Sequence, residues 1–188
     1  MYKIIDNFLN PKYFEMIQDE VLGGQYIWGY QDSVSKYETD FPSEESFPDY
    51  GFSHTIRWEE GYSQLNPFMA SFFADLLLET DTESVLRCRL DMTTYSPKGH
   101  IHPPHVDYCR PHTASILYLT NTDAETVLYN EKARTQFELR AIKPSTLTEM
   151  TRVKPRENRL LVFDGTHIHT GHSPHDCKRR VLINTDLV

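Results

Sequence analysis

After Asn10-Pro11, apolar residues recur at three- and four-residue steps at Tyr13, Phe14, Ile17, Val21 and Leu22, and the run stops at Gly23-Gly24. That spacing predicts one short amphipathic helix. A second helix is predicted after Asn66-Pro67, where Phe68, Phe72, Phe73, Leu76 and Leu77 form an apolar stripe that ends before Asp81. A one-sided stripe must be covered, so both helices are expected to pack against a sheet. Between them the period breaks up: from Trp28 to Tyr62 aromatic residues alternate with acids, and Asp32 to Glu60 holds eight acids against Lys36 and Arg57. This reads as a long excursion without regular structure. Its aromatic residues Trp28, Tyr30, Phe41, Phe47, Tyr50 and Phe52 fit a lid over a site, a piece of core or a dimer contact equally well.

Beyond Ser84 the period changes to two. Leu86, Cys88, Leu90 and Met92 point one way, and Arg87, Arg89 and Asp91 the other, as on a strand with unlike faces. Strand signals continue at Ala114 to Thr120, Thr126 to Tyr129, Gln136 to Ile142, Thr146 to Met150, Leu160 to Phe163 and Val181 to Asn184, divided by proline, glycine and Asn-Thr-Asp breaks. Many short strands after two helices predict a mainly β protein, a sandwich or jelly roll with helices at its N-terminal side. A chain of 188 residues fits one domain. Residues 1–84 are expected to form a helical and insert support region and residues 85–188 the β core. No internal repeat or low-complexity tract occurs.

Composition narrows the classes. The formal net charge of −8 argues against coating nucleic acid through the overall field. The eight Lys or Arg between Asn130 and Leu160, set against four Glu, read as a solvated face rather than a phosphate track. No apolar run is long enough for a membrane span, and MYKIIDNFLN lacks the order of a secretion signal, so a cytoplasmic location is expected. Cys88, Cys109 and Cys177 are too few and too scattered for a disulfide framework or a zinc pair, and are read as reduced thiols.

The candidate chemistry lies in two histidine-rich segments. In HIHPPHVDYCRPH, His105 and Asp107 are two residues apart; on a strand they share a face and can converge on one ion. A third ligand must come from elsewhere, and LLVFDGTHIHTGHSPHDCKRR offers His167, His169, His172 and His175. Two imidazoles and one carboxylate on one octahedral face leave three positions open for chemistry. A lone His-x-Asp is a weak signal, and ordinary hydrogen bonding explains most of them. A second reading starts instead from Gly99-His100-Ile101-His102 as a cupin-type pair, for an isomerase or a dioxygenase without 2-oxoglutarate, but no Glu follows between His102 and Thr120. A third reading is a non-catalytic binding module.

HVD, SILYLT, RLLVFDGTHIHTG and RRVLIN, in that order, resemble the prolyl-4-hydroxylase-like branch of the Fe(II)- and 2-oxoglutarate-dependent oxygenases, over about Leu86 to the C-terminus. The intervals are 62 residues from Asp107 to His169 and 11 from His169 to Arg180. The resemblance implies a double-stranded β-helix, a jelly roll of cupin-like form, and the ligand set His105, Asp107 and His169. The phrase from Phe163 to Gly171 favours His169, with His167 its rival and His172 and His175 in a polar turn around Pro174. It also implies that Arg180 holds the distal carboxylate of 2-oxoglutarate, with Arg179 on the opposite strand face, and that Tyr118 and Tyr95 complete the co-substrate pocket. The implied reaction consumes 2-oxoglutarate and O2, releases succinate and CO2, and hydroxylates a substrate C–H bond; hydroxylating an N-methyl group leads to demethylation. Asp107 argues against a halogenase, which needs that ligand position vacated. By analogy alone the leading substrate is a peptide or protein side chain, free amino acids and modified nucleobases staying open, with Tyr108 and Arg110 as candidate contacts on position.

Overall fold

The computed structural model describes residues 1–24, 26–34, 49–58, 61–65, 67–97 and 100–188. Phe41 and Phe47 of the aromatic insert, and Asn66 before the second helix, lie outside them. In chain order the elements are β1 (Tyr2–Asp6), α1 (Pro11–Leu22), β2 (Gly29–Gln31), β3 (Gly51–Trp58), β4 (Gly61–Tyr62), α2 (Ala70–Thr80), β5 (Val85–Thr94), β6 (Thr113–Tyr118), β7 (Thr126–Lys132), α3 (Gln136–Ala141), β8 (Glu149–Val153), β9 (Arg159–Asp164), β10 (His167–Gly171) and β11 (Arg179–Leu187).

The strands form a large antiparallel sheet in the order β1-β9-β6-β11-β5-β3-β2, with β4 on β3, and a small one in the order β10-β7-β8. Strands from both sides of the 84/85 boundary share the large sheet, because β1 pairs with β9 and β3 with β5. The fold is a double-stranded β-helix, mainly antiparallel β with few helices.

Both predicted helices form. α1 starts with proline at its first turn, and the Asn10 side chain accepts from the Lys12 N–H, which satisfies one of the free N–H groups at a helix start. Its Phe14, Ile17 and Val21 and the Phe72, Phe73 and Leu76 of α2 are buried against Cys88 and Leu90 of β5 and Val181 and Ile183 of β11. One face of the central strands is therefore a dry core under the helices. The opposite face of β5 carries Arg87, Arg89, Asp91 and Thr93, and that of β11 carries Arg180, Leu182, Asn184 and Asp186. Between the two sheets lies a smaller apolar cluster of Ile116, Leu128, Val153, Leu161, Phe163 and Leu182.

Three expectations change. Gln136 to Ile142 is helical rather than extended: Thr135 caps Glu138 N–H, and Glu138 reaches back to Arg134 N–H, so paired capping bonds decide a segment whose alternation looked strand-like. The strand expected at Thr146 to Met150 begins only at Glu149, since Pro144–Thr146 is a 3₁₀ turn. The excursion from Trp28 to Tyr62 contains β3, a strand of 8 residues on the flank of β5. Its partner supplies the order that its mixed polar and aromatic sequence does not advertise.

Candidate metal centre and co-substrate pocket

His105 and Asp107 do not lie on a regular strand. His105 is pinned to β10 by two reciprocal backbone bonds with His169, each 2.9 Å, and this isolated bridge sets the two imidazoles against each other with ring centroids 4.6 Å apart. Ligand atoms of His105, Asp107 and His169 all lie within 4.8 Å of one another. His169 Nε2 is 3.4 Å from Asp107 Oδ2.

The surroundings fix what each ligand presents. His105 Nδ1 lies 3.0 Å from Pro103 O and His169 Nδ1 3.2 Å from His167 O. A carbonyl can only accept, so both Nδ1 atoms carry the proton and both Nε2 atoms keep a free lone pair, the tautomer a metal requires. Asp107 Oδ1 accepts from Arg87 Nη2 at 2.5 Å, and Arg87 Nε donates to Asp186 Oδ2 at 2.8 Å. Burial works to raise the Asp107 carboxyl, but Arg87 and then His169 hold it well below the usual range. Burial, and then His169, push His105 down to about 4. One anionic and two neutral donors gathered in this way fit a divalent cation.

His167 is not interchangeable with His169. The pairing of β10 with β7 is irregular between the two residues, so the simple two-residue face rule fails there. His167 Nδ1 is instead 2.8 Å from Tyr129 O. His175 pairs with Asp123 at the surface. His172 is better covered than a polar turn suggests, and burial, then Arg152 and Arg180, push it down to about 4.

A cavity runs from His105 and His169 to Arg180 and Thr126. Asn184 lines it near the triad and sends Nδ2 to Asp107 Oδ2 at 3.4 Å; Arg180 stands four residues along the same strand, roughly 13 Å away. Arg180 is only 6 % exposed. Arg87 is bonded to Asp107 and Asp186 and Arg89 to Asp91, whereas Arg180 makes no such ion pair among the described residues. Its Nη2 donates to Thr126 Oγ1 at 2.6 Å, and its Nε is buried without an acceptor. Burial works against its charge, with Tyr118 and Asp91 opposing. A desolvated guanidinium with unspent donors is a site for a carboxylate. Gly171 makes room for it: a Cβ there would lie 2.9 Å from Arg180 Nη1.

Tyr118 is fully buried behind the cavity wall, its hydroxyl donating to Thr126 Oγ1 at 2.7 Å and its ring 5.7 Å from the Arg180 guanidinium. Thr126 thus accepts two donors and keeps its own hydroxyl hydrogen for the cavity. Tyr95 is not brought to the site. β5 ends at Thr94, and Tyr95 is 59 % exposed, its backbone N–H donating to Lys178 O. Arg179 lies on the far face, bonded to Leu22 O. Tyr108 sits beside the triad between the Arg87 and Arg110 guanidinium groups, 5.1 and 5.3 Å from its ring.

Sequence reasoning missed Arg87, Arg89, Asp91, Thr126 and Asn184. The signal was present in Arg87, Arg89 and Asp91 alternating with apolar residues on a strand, but it reads as a solvated face until a second sheet is known to cover it. It also set His100 and His102 aside once the cupin reading failed; they converge on Asp49 rather than on His169.

No family model matches the chain, and no curated protein matches it in sequence. Solved structures do match in fold. A prolyl hydroxylase from Trichoplax adhaerens, in complex with a hypoxia-inducible-factor oxygen-degradation-domain peptide fragment, aligns with TM-score 0.62 over 99% of this chain and 82% of its own at 14% identity. An oxidoreductase of the 2OG-Fe(II) oxygenase family from Burkholderia pseudomallei aligns with TM-score 0.65 over 99% and 84% at 10% identity. A non-haem alpha-ketoglutarate-dependent carbocyclase of nogalamycin biosynthesis aligns with TM-score 0.63 over 99% and 78% at 10% identity. The chain therefore has the fold of the 2-oxoglutarate- and Fe(II)-dependent oxygenases, prolyl hydroxylases among them.

Proposed function

We propose that this protein is an Fe(II)- and 2-oxoglutarate-dependent oxygenase that hydroxylates a substrate C–H bond. The observation that carries the reading is the arrangement of one cavity: a His105, Asp107 and His169 cluster opens onto it, and Arg180, the inner-face arginine without a carboxylate partner among the described residues, lines it as well. Bound Fe(II) supplies the activation of O2 that is coupled to decarboxylation of 2-oxoglutarate, one oxygen atom going to succinate and the other to the substrate carbon.

The chain's own residues do the positioning. The Pro103 and His167 carbonyls hold the two imidazoles in the ligating tautomer, and Arg87 keeps Asp107 ionised. Arg180 and the Thr126 hydroxyl hold the distal carboxylate, with Tyr118 fixing Thr126 from behind. Gln31, Val34 and Phe52 also line the cavity. The cupin alternative lacks its glutamate between His102 and Thr120, and His100 and His102 gather with Asp49, apart from His105, Asp107 and His169. A peptide or protein substrate is supported by the peptide complex of the Trichoplax hydroxylase, with Tyr108 and Arg110 kept as candidate contacts on their position beside the triad.

Anaerobic addition of Fe(II) and then 2-oxoglutarate should give the weak visible band of a keto-acid chelate. Absence of the band in demonstrably iron-loaded protein would reject the reading. Succinate release, screened across peptide, amino-acid and nucleic-acid substrates, then identifies the substrate class.

A further inference from the structure

Outside the proposed iron centre a second group of metal-competent side chains is assembled. Asp49 stands just before β3, and His100 and His102 stand in the segment that leads to His105. Their ligand atoms also lie within 4.8 Å of one another. The histidines are buried, 5 % and 2 % exposed, with their rings edge to face at 4.9 Å.

The hydrogen bonds around His102 fix its ring beside the carboxylate. His102 Nε2 lies 2.8 Å from Ser173 Oγ, and His102 Nδ1 meets Asp49 Oδ1 directly. Ser173 Oγ–H can donate to Nε2 while Nδ1–H donates to Asp49, so the neutral imidazole is held between a hydroxyl and a carboxylate. A metal ion would take the place of the Nδ1 proton beside the Asp49 carboxylate. His100, stacked on the same imidazole, adds a third donor to the group. Asp49 is itself oriented: Ser33 Oγ donates to its Oδ2 at 2.7 Å, and Val34 N–H to its carbonyl at 3.3 Å. On the other side His102 is fixed to β10, its N–H donating to Gly171 O at 3.1 Å.

We propose that Asp49, His100 and His102 form a second divalent-metal site, separate from His105, Asp107 and His169 and suited to a borderline ion of the Zn(II) class. Two imidazoles and one carboxylate without a thiolate match that class, with a remaining position for water. The site has a structural consequence. Val34, bonded to Asp49, and His102 both line the cavity, so an ion there clamps the insert-side wall to the segment that carries His105.

The test uses metal-free full-length chain dialysed against excess Zn(II) and read by elemental analysis. Wild type should retain two ions per chain, His105→Ala/His169→Ala one, Asp49→Ala/His100→Ala one, and the fourfold variant none. In His105→Ala/His169→Ala, Zn(II) should also raise Tm, and adding Ser173→Ala should weaken the remaining site about 10- to 100-fold, as for loss of a group that orients a ligand. A single ion in wild type that is lost in His105→Ala/His169→Ala and kept in Asp49→Ala/His100→Ala overturns the proposal. So does a second ion that survives Asp49→Ala/His100→Ala; loss of that ion on His175→Ala would assign it to the surface His175 and Asp123 pair.

Discussion

The two faces of β5 and β11 are built from the same backbone and differ in almost everything else. On the helix side, Cys88, Leu90, Val181 and Ile183 are sealed under α1 and α2. On the inner side, the same strands present Arg87, Arg89, Asp91, Arg180, Asn184 and Asp186, and most of these charges are closed in ion pairs. Buried charge is costly, and the helix-side core offsets that cost. The comparison teaches that in this sheet stability and chemistry are assigned to alternate residues. A substitution should therefore affect one or the other according to its parity.

The strongest way to break the comparison is to remove an inner ligand. His105→Ala and His169→Ala should each abolish tight Fe(II) binding in equilibrium dialysis, because two remaining protein ligands do not hold Fe(II) against water. His167→Ala, which loses a bond to Tyr129 O, should weaken binding by about 10- to 100-fold at most. His175→Ala should leave iron binding unchanged.

Next comes the helix side. Leu90 is fully buried, and Leu90→Ala should cost about 2–5 kcal/mol in urea unfolding. Iron and 2-oxoglutarate affinity of the folded fraction should not change; a loss of affinity would show that the faces are not independent.

Arg180→Ala should raise the KM for 2-oxoglutarate about thirtyfold to a thousandfold, roughly 2–4 kcal/mol, with iron binding nearly intact. Metal-free stability should hardly fall, since Arg180 is desolvated without an ion-pair partner among the described residues. Arg179→Ala, on the other parity, should do little, and equal effects from the two arginines would overturn the face assignment.

The smallest effect expected is on pH dependence. His172 takes its proton near pH 4 in the folded chain, because burial and then Arg152 and Arg180 oppose it, against about 6.5 ordinarily. Its neutral form is the folded one. The stability it contributes is therefore present above about pH 6.5 and falls as pH drops from there towards 4. Tm measured against pH should decline less steeply in that window for His172→Asn than for wild type.

Much of this was legible in the sequence. The three- and four-residue spacing of Phe14, Ile17 and Val21 and of Phe72, Phe73 and Leu76 marks helices because each needs a single apolar side. The two-residue spacing from Leu86 to Met92 marks β5 for the same reason. His105, Asp107, His169 and Arg180 were singled out by the resemblance to prolyl-4-hydroxylase-like oxygenases, and the structure sets them around one cavity or at its edge. What stayed hidden depends on long-range partners. Thr126 becomes a pocket residue only when β7 crosses beneath Arg180. Asp49 means nothing until the chain brings it to His102. Tyr95 was misplaced because the sequence does not mark the end of β5 at Thr94, and α3 because alternation across six residues does not outweigh two capping bonds.

The sheet order places β11 between β5 and β6, although it is the last of these strands to be synthesised. Until it inserts, β5 and β6 each expose an unpaired edge, and Arg180 and Asn184 are missing from the cavity. Completion of the sheet and of the pocket is thus one event, the insertion of β11. A chain stopped shortly before Arg179 would lose both together and present two open edges for association with other chains.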